Sequence, residues 1–82
     1  MKRAVALRYD ESLPAPFVLA KGHGELALRL LEIAKEYGVE VVEDDLLAES
    51  LFLLDIDEVI PARMFEIIAA LFAYVYRTRT KE

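Results

Sequence analysis

Residues 17–43, FVLAKGHGELALRLLEIAKEYGVEVVE, constrain the fold of this chain more than any other stretch. The apolar run Phe17, Val18, Leu19 and Ala20 closes at Lys21 and Gly22. From residue 25 to residue 37 apolar side chains then recur every three or four positions, the spacing of a helix with one buried stripe. Leu26, Ala27, Leu30, Ile33, Ala34 and Tyr37 form that stripe, and Leu28 and Leu31 widen the apolar surface. Arg29 follows Glu25 by four residues, a spacing that supports an ion pair worth ~0.2–0.5 kcal/mol. Gly38 stands where a helix commonly ends in a left-handed residue. Val39, Val41 and Val42 prefer extended backbone. Strand, crossover helix and strand in this order predict a right-handed parallel unit.

At 82 residues the chain is one domain, 1–82, near the small end of what folds alone. Apolar residues make up 56% of it, which excludes disorder. There is no cysteine, so disulfides, thiolate metal sites and cysteine nucleophiles are excluded. His23 is the only histidine and cannot build a usual zinc site alone. Its glycine-flanked position, Lys21-Gly22-His23-Gly24, lacks the spacing of a phosphate loop and reads as a tight strand-to-helix turn. No catalytic residue, metal ligand or cofactor site is expected. No apolar run is long enough to span a membrane, and Arg8, Asp10 and Glu11 interrupt any signal-like segment after Lys2 and Arg3. A cytoplasmic protein is expected.

Charge is unevenly spread. Residues 1–41 carry six basic and six acidic side chains, whereas residues 42–82 carry four and nine, the whole net charge of −5. Residues 43–58 hold seven acids and no base. Phosphate binding needs clustered lysine and arginine, so nucleic acid is excluded as the main partner. The acidic stretch is either a solvated face or a surface that selects a protein partner.

In chain order, residues 2–9 alternate around Val5, Leu7 and Tyr9, the pattern of a strand. Ala4 and Ala6 on its other side would let a helix approach closely. Residues 10–16, DESLPAP, form a loop stiffened by Pro14 and Pro16. Asp44 or Asp45 suits the cap of a short helix over residues 46–53, with Leu47, Leu51 and Leu54 inward and Glu49 and Ser50 outward. A brief strand near residues 54–56 is also compatible with the pattern. Pro61 suits the first turn of the last helix, where Met64, Phe65, Ile67, Ile68, Leu71, Phe72 and Val75 recur at helical spacing. Ala69, Ala70 and Ala73 allow close packing there. Arg77, Arg79 and Lys81 complement the negative end of that helix. The expected fold is α/β: a small mixed sheet of three or four strands containing the parallel unit, flanked by three or four helices.

Several of these stretches, in one register, resemble a known family. They are Ala4-Val5-Ala6-Leu7-Arg8-Tyr9-Asp10, Pro14-Ala15-Pro16-Phe17-Val18-Leu19-Ala20-Lys21-Gly22, Ala27 to Arg29, Ile33-Ala34, Gly38 to Val42, Leu47-Ala48, Leu51-Phe52, Ile60-Pro61 and Ala73-Tyr74-Val75-Tyr76. The set resembles the C-terminal cytoplasmic domain of the flagellar and type III export switch protein family, FlhB and its injectisome relatives. In that family the domain follows a membrane region, cleaves itself at the Asn-Pro bond of an Asn-Pro-Thr-His sequence, and helps switch export between substrate classes. The Asn-Pro-Thr-His sequence is absent here, so self-cleavage of that kind is not expected. Where the family has Asn-Pro-Pro-Leu-Ala-Arg, this chain has Asp44-Asp45-Leu46-Leu47-Ala48-Glu49. Glutamate cannot keep a bidentate arginine contact, so a partner surface meeting that region must differ or bind more weakly.

The resemblance implies a stand-alone, non-catalytic protein-binding module of the export apparatus. It would substitute for or modulate the substrate-specificity switch domain; the alternative is a repurposed adaptor with no secretion role. Expected partners are the membrane part of the switch protein and the cytoplasmic domain of the export gate. Neither nucleic acid nor direct membrane insertion is expected, and the chain is expected to be monomeric, cytoplasmic or peripheral at the cytoplasmic face of the apparatus. Arg8, Asp10, Pro14, Pro16, Asp44, Asp45 and Glu49 are the candidate partner-binding residues.

Overall fold

The computed structural model describes residues 2–80, with side chains described through residue 77. Two strands, β1 (Arg3–Arg8) and β2 (Phe17–His23), pair antiparallel. Helix α1 (Glu25–Glu36) follows β2 directly, then α2 (Asp45–Phe52), a 3₁₀ turn (Ala62–Met64) and α3 (Phe65–Thr80).

The register determines which helix meets which face. Ala4 pairs with Gly22, Ala6 with Ala20, Val5 with Lys21 and Leu7 with Val18. Cross-strand partners share a face, so one side of the sheet carries only Ala4, Ala6, Ala20 and Gly22 in its centre. Helix α1 packs there, through fully buried Ala27. A Cβ on Gly22 would stand 2.8 Å from Leu26 Cβ and 3.1 Å from the Leu26 carbonyl carbon. Only a bare α-carbon lets the helix start so close to the strand. The opposite side carries Val5, Leu7 and Val18. These pack with Ala15, Leu47, Leu51, Leu54, Val59, Ile60, Met64, Ile68, Leu71 and Phe72, which makes the main core.

The parallel unit expected over residues 17–43 does not form. Residues 39–44 carry no strand, and Val39, Val41 and Val42 are exposed. The outer edge of β2 is taken instead by residues 57–60. The Val18 N–H donates to the Glu58 carbonyl (2.9 Å), Asp57 N–H to the Val18 carbonyl (2.7 Å) and Ile60 N–H to the Pro16 carbonyl (3.0 Å), around an antiparallel bridge between Phe17 and Val59. The extra pairing thus lies at residue 59 rather than residues 54–56. It is reached through a turn in which Asp57 holds φ 75°.

Gly38 ends α1 with φ 70°, and the Val39 N–H reaches back to the Ala34 carbonyl (2.8 Å), a Schellman closure. The stripe of α1 is rotated from the expected one: Leu30, Leu31 and Ala34 flank Ala27 half-buried, while Leu26, Ile33 and Tyr37 face outward. No ion pair joins Arg29 to Glu25 among the described residues. Helix α2 has the expected inner side of Leu47, Leu51 and adjoining Leu54. Helix α3 follows Pro61, whose φ of −72° and extended ψ lead into the 3₁₀ turn. It docks through Met64, Ile68, Leu71 and Phe72, and Phe72 meets Tyr9 edge to face at 6.2 Å. Phe65, Ile67, Ala69, Ala70 and Ala73 lie outward, so the close packing expected of the alanines does not occur. The Arg79 side chain and Lys81 lie outside the described residues.

Asp44 caps α2. Its Oδ1 accepts from the Leu47 N–H at 3.0 Å, and its carbonyl accepts from Ala48 at 2.9 Å. Asp44→Ala should lower unfolding free energy by about 1 kcal/mol, with Asp44→Asn retaining most of it. Urea titrations of the two variants check this; equal loss in both would point to charge rather than the cap bond.

Candidate partner-binding surface

The candidate residues fall into two groups at opposite ends of β1. Six residues at ~3.3 Å each separate the ends by roughly 17 Å, so the groups do not converge on one site.

Arg8, Asp10, Pro14 and Pro16 belong to the first group, around the connection between β1 and β2. Asp10 Oδ1 accepts from the Ser12 N–H (3.0 Å) and the Ser12 hydroxyl (2.9 Å), while the Leu13 N–H donates to the Asp10 carbonyl (2.8 Å). The two bonds from Ser12 hold the Asp10 carboxyl below its ordinary value, and the Arg8 charge adds to this. Asp10 is thus committed to closing its own turn. Pro14 is exposed, Ala15 beside it is buried, and the Pro16 carbonyl is used by Ile60. Of this group Arg8 and Pro14 are exposed and close no turn of their own.

Asp44, Asp45 and Glu49 belong to the second group, at the N-terminal half of α2. Here the start of β1 supplies residues that the sequence pattern did not single out. Arg3 lies 3.7 Å from Glu49, Lys2 lies 3.9 Å from Glu43, and the Arg3 guanidinium stands 5.6 Å from the centre of the Phe52 ring. Arg3, Asp45, Leu46, Ala48 and Glu49 line an open cleft of about 150 Å³, with Leu46 strongly exposed at its rim. The available signal was the run of acids without a base in residues 43–58, whose counter-charge had to come from elsewhere in the chain. Lys2 and Arg3 supply part of it, through Glu43 and Glu49.

His23 is the last residue of β2 and stands edge-on to Phe52 at 5.8 Å. Among the described residues no three acidic or imidazole side chains are grouped to hold a metal ion. Nor is any helix among them long and apolar enough to cross a membrane. The outer edge of β1 has no strand beside it among the described residues, because the sheet order is β1–β2 and the further bridge lies beyond β2.

Comparison with known proteins finds sequence relatives and solved structures of the same fold. The chain is 44% identical over 80 residues to flagellar biosynthetic protein FlhB of Bacillus subtilis (strain 168), covering 95% of this chain and 22% of the relative. It is 42% identical over 73 residues to FlhB of Helicobacter pylori (strain ATCC 700392 / 26695), covering 88% and 20%. The chain therefore spans about a fifth of the length of these FlhB relatives. The uncharacterized protein YlqH of Bacillus subtilis (strain 168) is of similar size: 38% identity over 78 residues covers 94% of this chain and 84% of YlqH. The crystal structure of the cytoplasmic domain of FlhB from Shewanella putrefaciens superimposes with a TM-score of 0.90 at 35% identity, over 98% of this chain and 66% of that one. The PscU C-terminal domain gives 0.82 at 32%, over 89% and 95%. The family description FlhB HrpN YscU SpaS matches residues 1–75, from β1 into α3, with the whole core inside the match, and the chain belongs to that family.

Proposed function

We propose that this chain is a non-catalytic protein-binding module of the flagellar or type III export apparatus, one that substitutes for or modulates the substrate-specificity switch domain. Family membership supports an export-switch domain in general. The observation that carries the binding role is the outer edge of β1: a six-residue strand paired on one side alone among the described residues. Such an edge accepts an added strand through main-chain hydrogen bonds. The membrane part of the switch protein would offer that strand, and the cytoplasmic domain of the export gate is the second partner. Arg8 and Pro14 at one end, and Asp44, Asp45 and Glu49 at the other, would then select which partner docks. The module would sit peripherally at the cytoplasmic face of the apparatus.

A second reading, an adaptor without a secretion role, is favoured by the Arg3–Glu49 contact, which satisfies internally a charge that differs from the family's arginine. Co-purification with the membrane part of the switch protein, or with the gate's cytoplasmic domain, separates the two. Wild type should be retained, and reversal of Asp45 and Glu49 together, with the Asp44 cap left in place, should reduce retention about tenfold, as expected for rim charges acting together. No retention, combined with normal export in a deletion strain, would leave the adaptor reading.

A further inference from the structure

Helix α1 carries an apolar stripe that the fold does not use. Leu26 is 64% exposed and Ile33 45%, with half-buried Leu30 between them, and Tyr37, the C-cap residue that ends the helix, is 75% exposed. Their spacing of four, three and four is the alternation of a coiled-coil seam, with Leu26 and Ile33 in one kind of seam position and Leu30 and Tyr37 in the other. The stripe is bordered on one side by Ala27 and Ala34, which turn toward the sheet and are small enough for a second helix to come close. On its other side stand Arg29 and Glu36, seven residues apart, and neither makes an ion pair among the described residues.

We infer that two copies of this chain associate through α1, helix against antiparallel helix about a two-fold axis. The occupant follows from the charges. Antiparallel pairing stacks Leu26 on Tyr37 of the second copy and Leu30 on its Ile33. In that register the position preceding one seam residue meets the same kind of position one heptad away. Arg29 therefore faces Glu36 of the second copy, and the symmetry axis repeats the contact. Parallel pairing would set Arg29 opposite Ala34 and leave both charges unanswered. The stripe is complementary to itself in one orientation, as an isologous interface requires. On this inference the chain is a dimer where a monomer is expected, whichever export partner the module meets.

Sedimentation of the full chain between about 10 µM and about 1 mM tests it, a range that reveals weak association. The weight-average mass should climb toward twice that of the monomer. Ile33→Glu, a change at a side chain outside the core, should leave the circular dichroism unchanged and hold the mass at the monomer value. Arg29→Glu should weaken association about tenfold, and Arg29→Glu combined with Glu36→Arg should restore it to within about threefold. A monomer throughout the range, an association insensitive to Ile33→Glu, or a double charge swap that fails to rescue would each overturn the inference.

Discussion

Ile68→Ala should lower the unfolding free energy by about 3 kcal/mol, within the range of ~2–5 kcal/mol typical of large-to-small changes in a closed core. Ile68 is 1% exposed and is the most deeply buried residue of α3. Met64 one turn before it and Leu71 and Phe72 one turn after complete the strip by which α3 holds to Val5, Leu7 and Val18. Removing its side-chain carbons opens a cavity between helix and sheet that neither can close without losing the rest of the strip. A domain of this size has a total stability of roughly 4–12 kcal/mol, so the variant gives up a large fraction of it. The melting temperature should fall by more than about 12 °C. Ile67→Ala is the control: its neighbouring side chain points outward, and the change should cost below ~1 kcal/mol. Equal effects of the two substitutions would mean that α3 does not dock by this face.

Much of the fold was legible because local chemistry decided it. Gly38 had to end a helix, and it does so with φ 70°. An aspartate before Leu46 had to cap the next one, and Asp44 does. Leu47, Leu51 and Leu54 had one possible inner side. The failure lies at Val39, Val41 and Val42. β-branched residues report a local preference for extended backbone, but they cannot report whether a sheet edge is free. Residues 57–60 had already claimed the edge of β2, with three backbone hydrogen bonds around residues 16–18. Rotation of the α1 stripe has a related cause. A helix rich in leucine on several sides leaves its orientation to the surface it meets, and Gly22 and Ala27 set that contact.

The candidate surface was legible only in part for the same reason. Its acidic half could be read as charge without compensation, while the compensating Arg3 came from a strand some 46 residues earlier in the chain. Asp10 and Pro16 look like exposed loop residues in sequence, yet the first closes its own turn and the second pairs with Ile60.

Lys21→Met should cost about 2–3 kcal/mol, although Lys21 lies in a strand and the sequence marks it only as the end of an apolar run. The register explains its position. Ala6 pairs with Ala20 and Leu7 with Val18, so Leu19 has no partner and the strand shifts there by one residue. Because of that shift Lys21 shares a face with Val18, although the two are three residues apart. Its Nζ donates to the Phe52 carbonyl at 2.9 Å and the Leu54 carbonyl at 2.7 Å, and it stands 5.0 Å from the Phe52 ring centre. The Phe52 carbonyl ends α2 and the Leu54 carbonyl lies just past its C-cap, where the helix leaves acceptors unpaired and its dipole is negative. The last turn of α2 has no basic residue of its own, so Lys21 supplies the missing donor. Methionine keeps the apolar stem and removes the ammonium, which isolates the hydrogen bonds from the packing. Amide exchange at Leu53 and Leu54, whose N–H groups close the helix onto Ser50 and Leu51, should accelerate along with the drop in denaturation midpoint. Since α2 carries Asp45, Leu46 and Glu49 against Arg3, loosening its far end should also weaken partner retention. Charge reversal of Asp45 and Glu49, which leaves the Asp44 cap in place, should weaken retention with little effect on exchange at Leu53 and Leu54. A Lys21→Met protein within ~0.5 kcal/mol of wild type, with exchange unchanged, would mean that the lysine does not anchor α2 to the sheet.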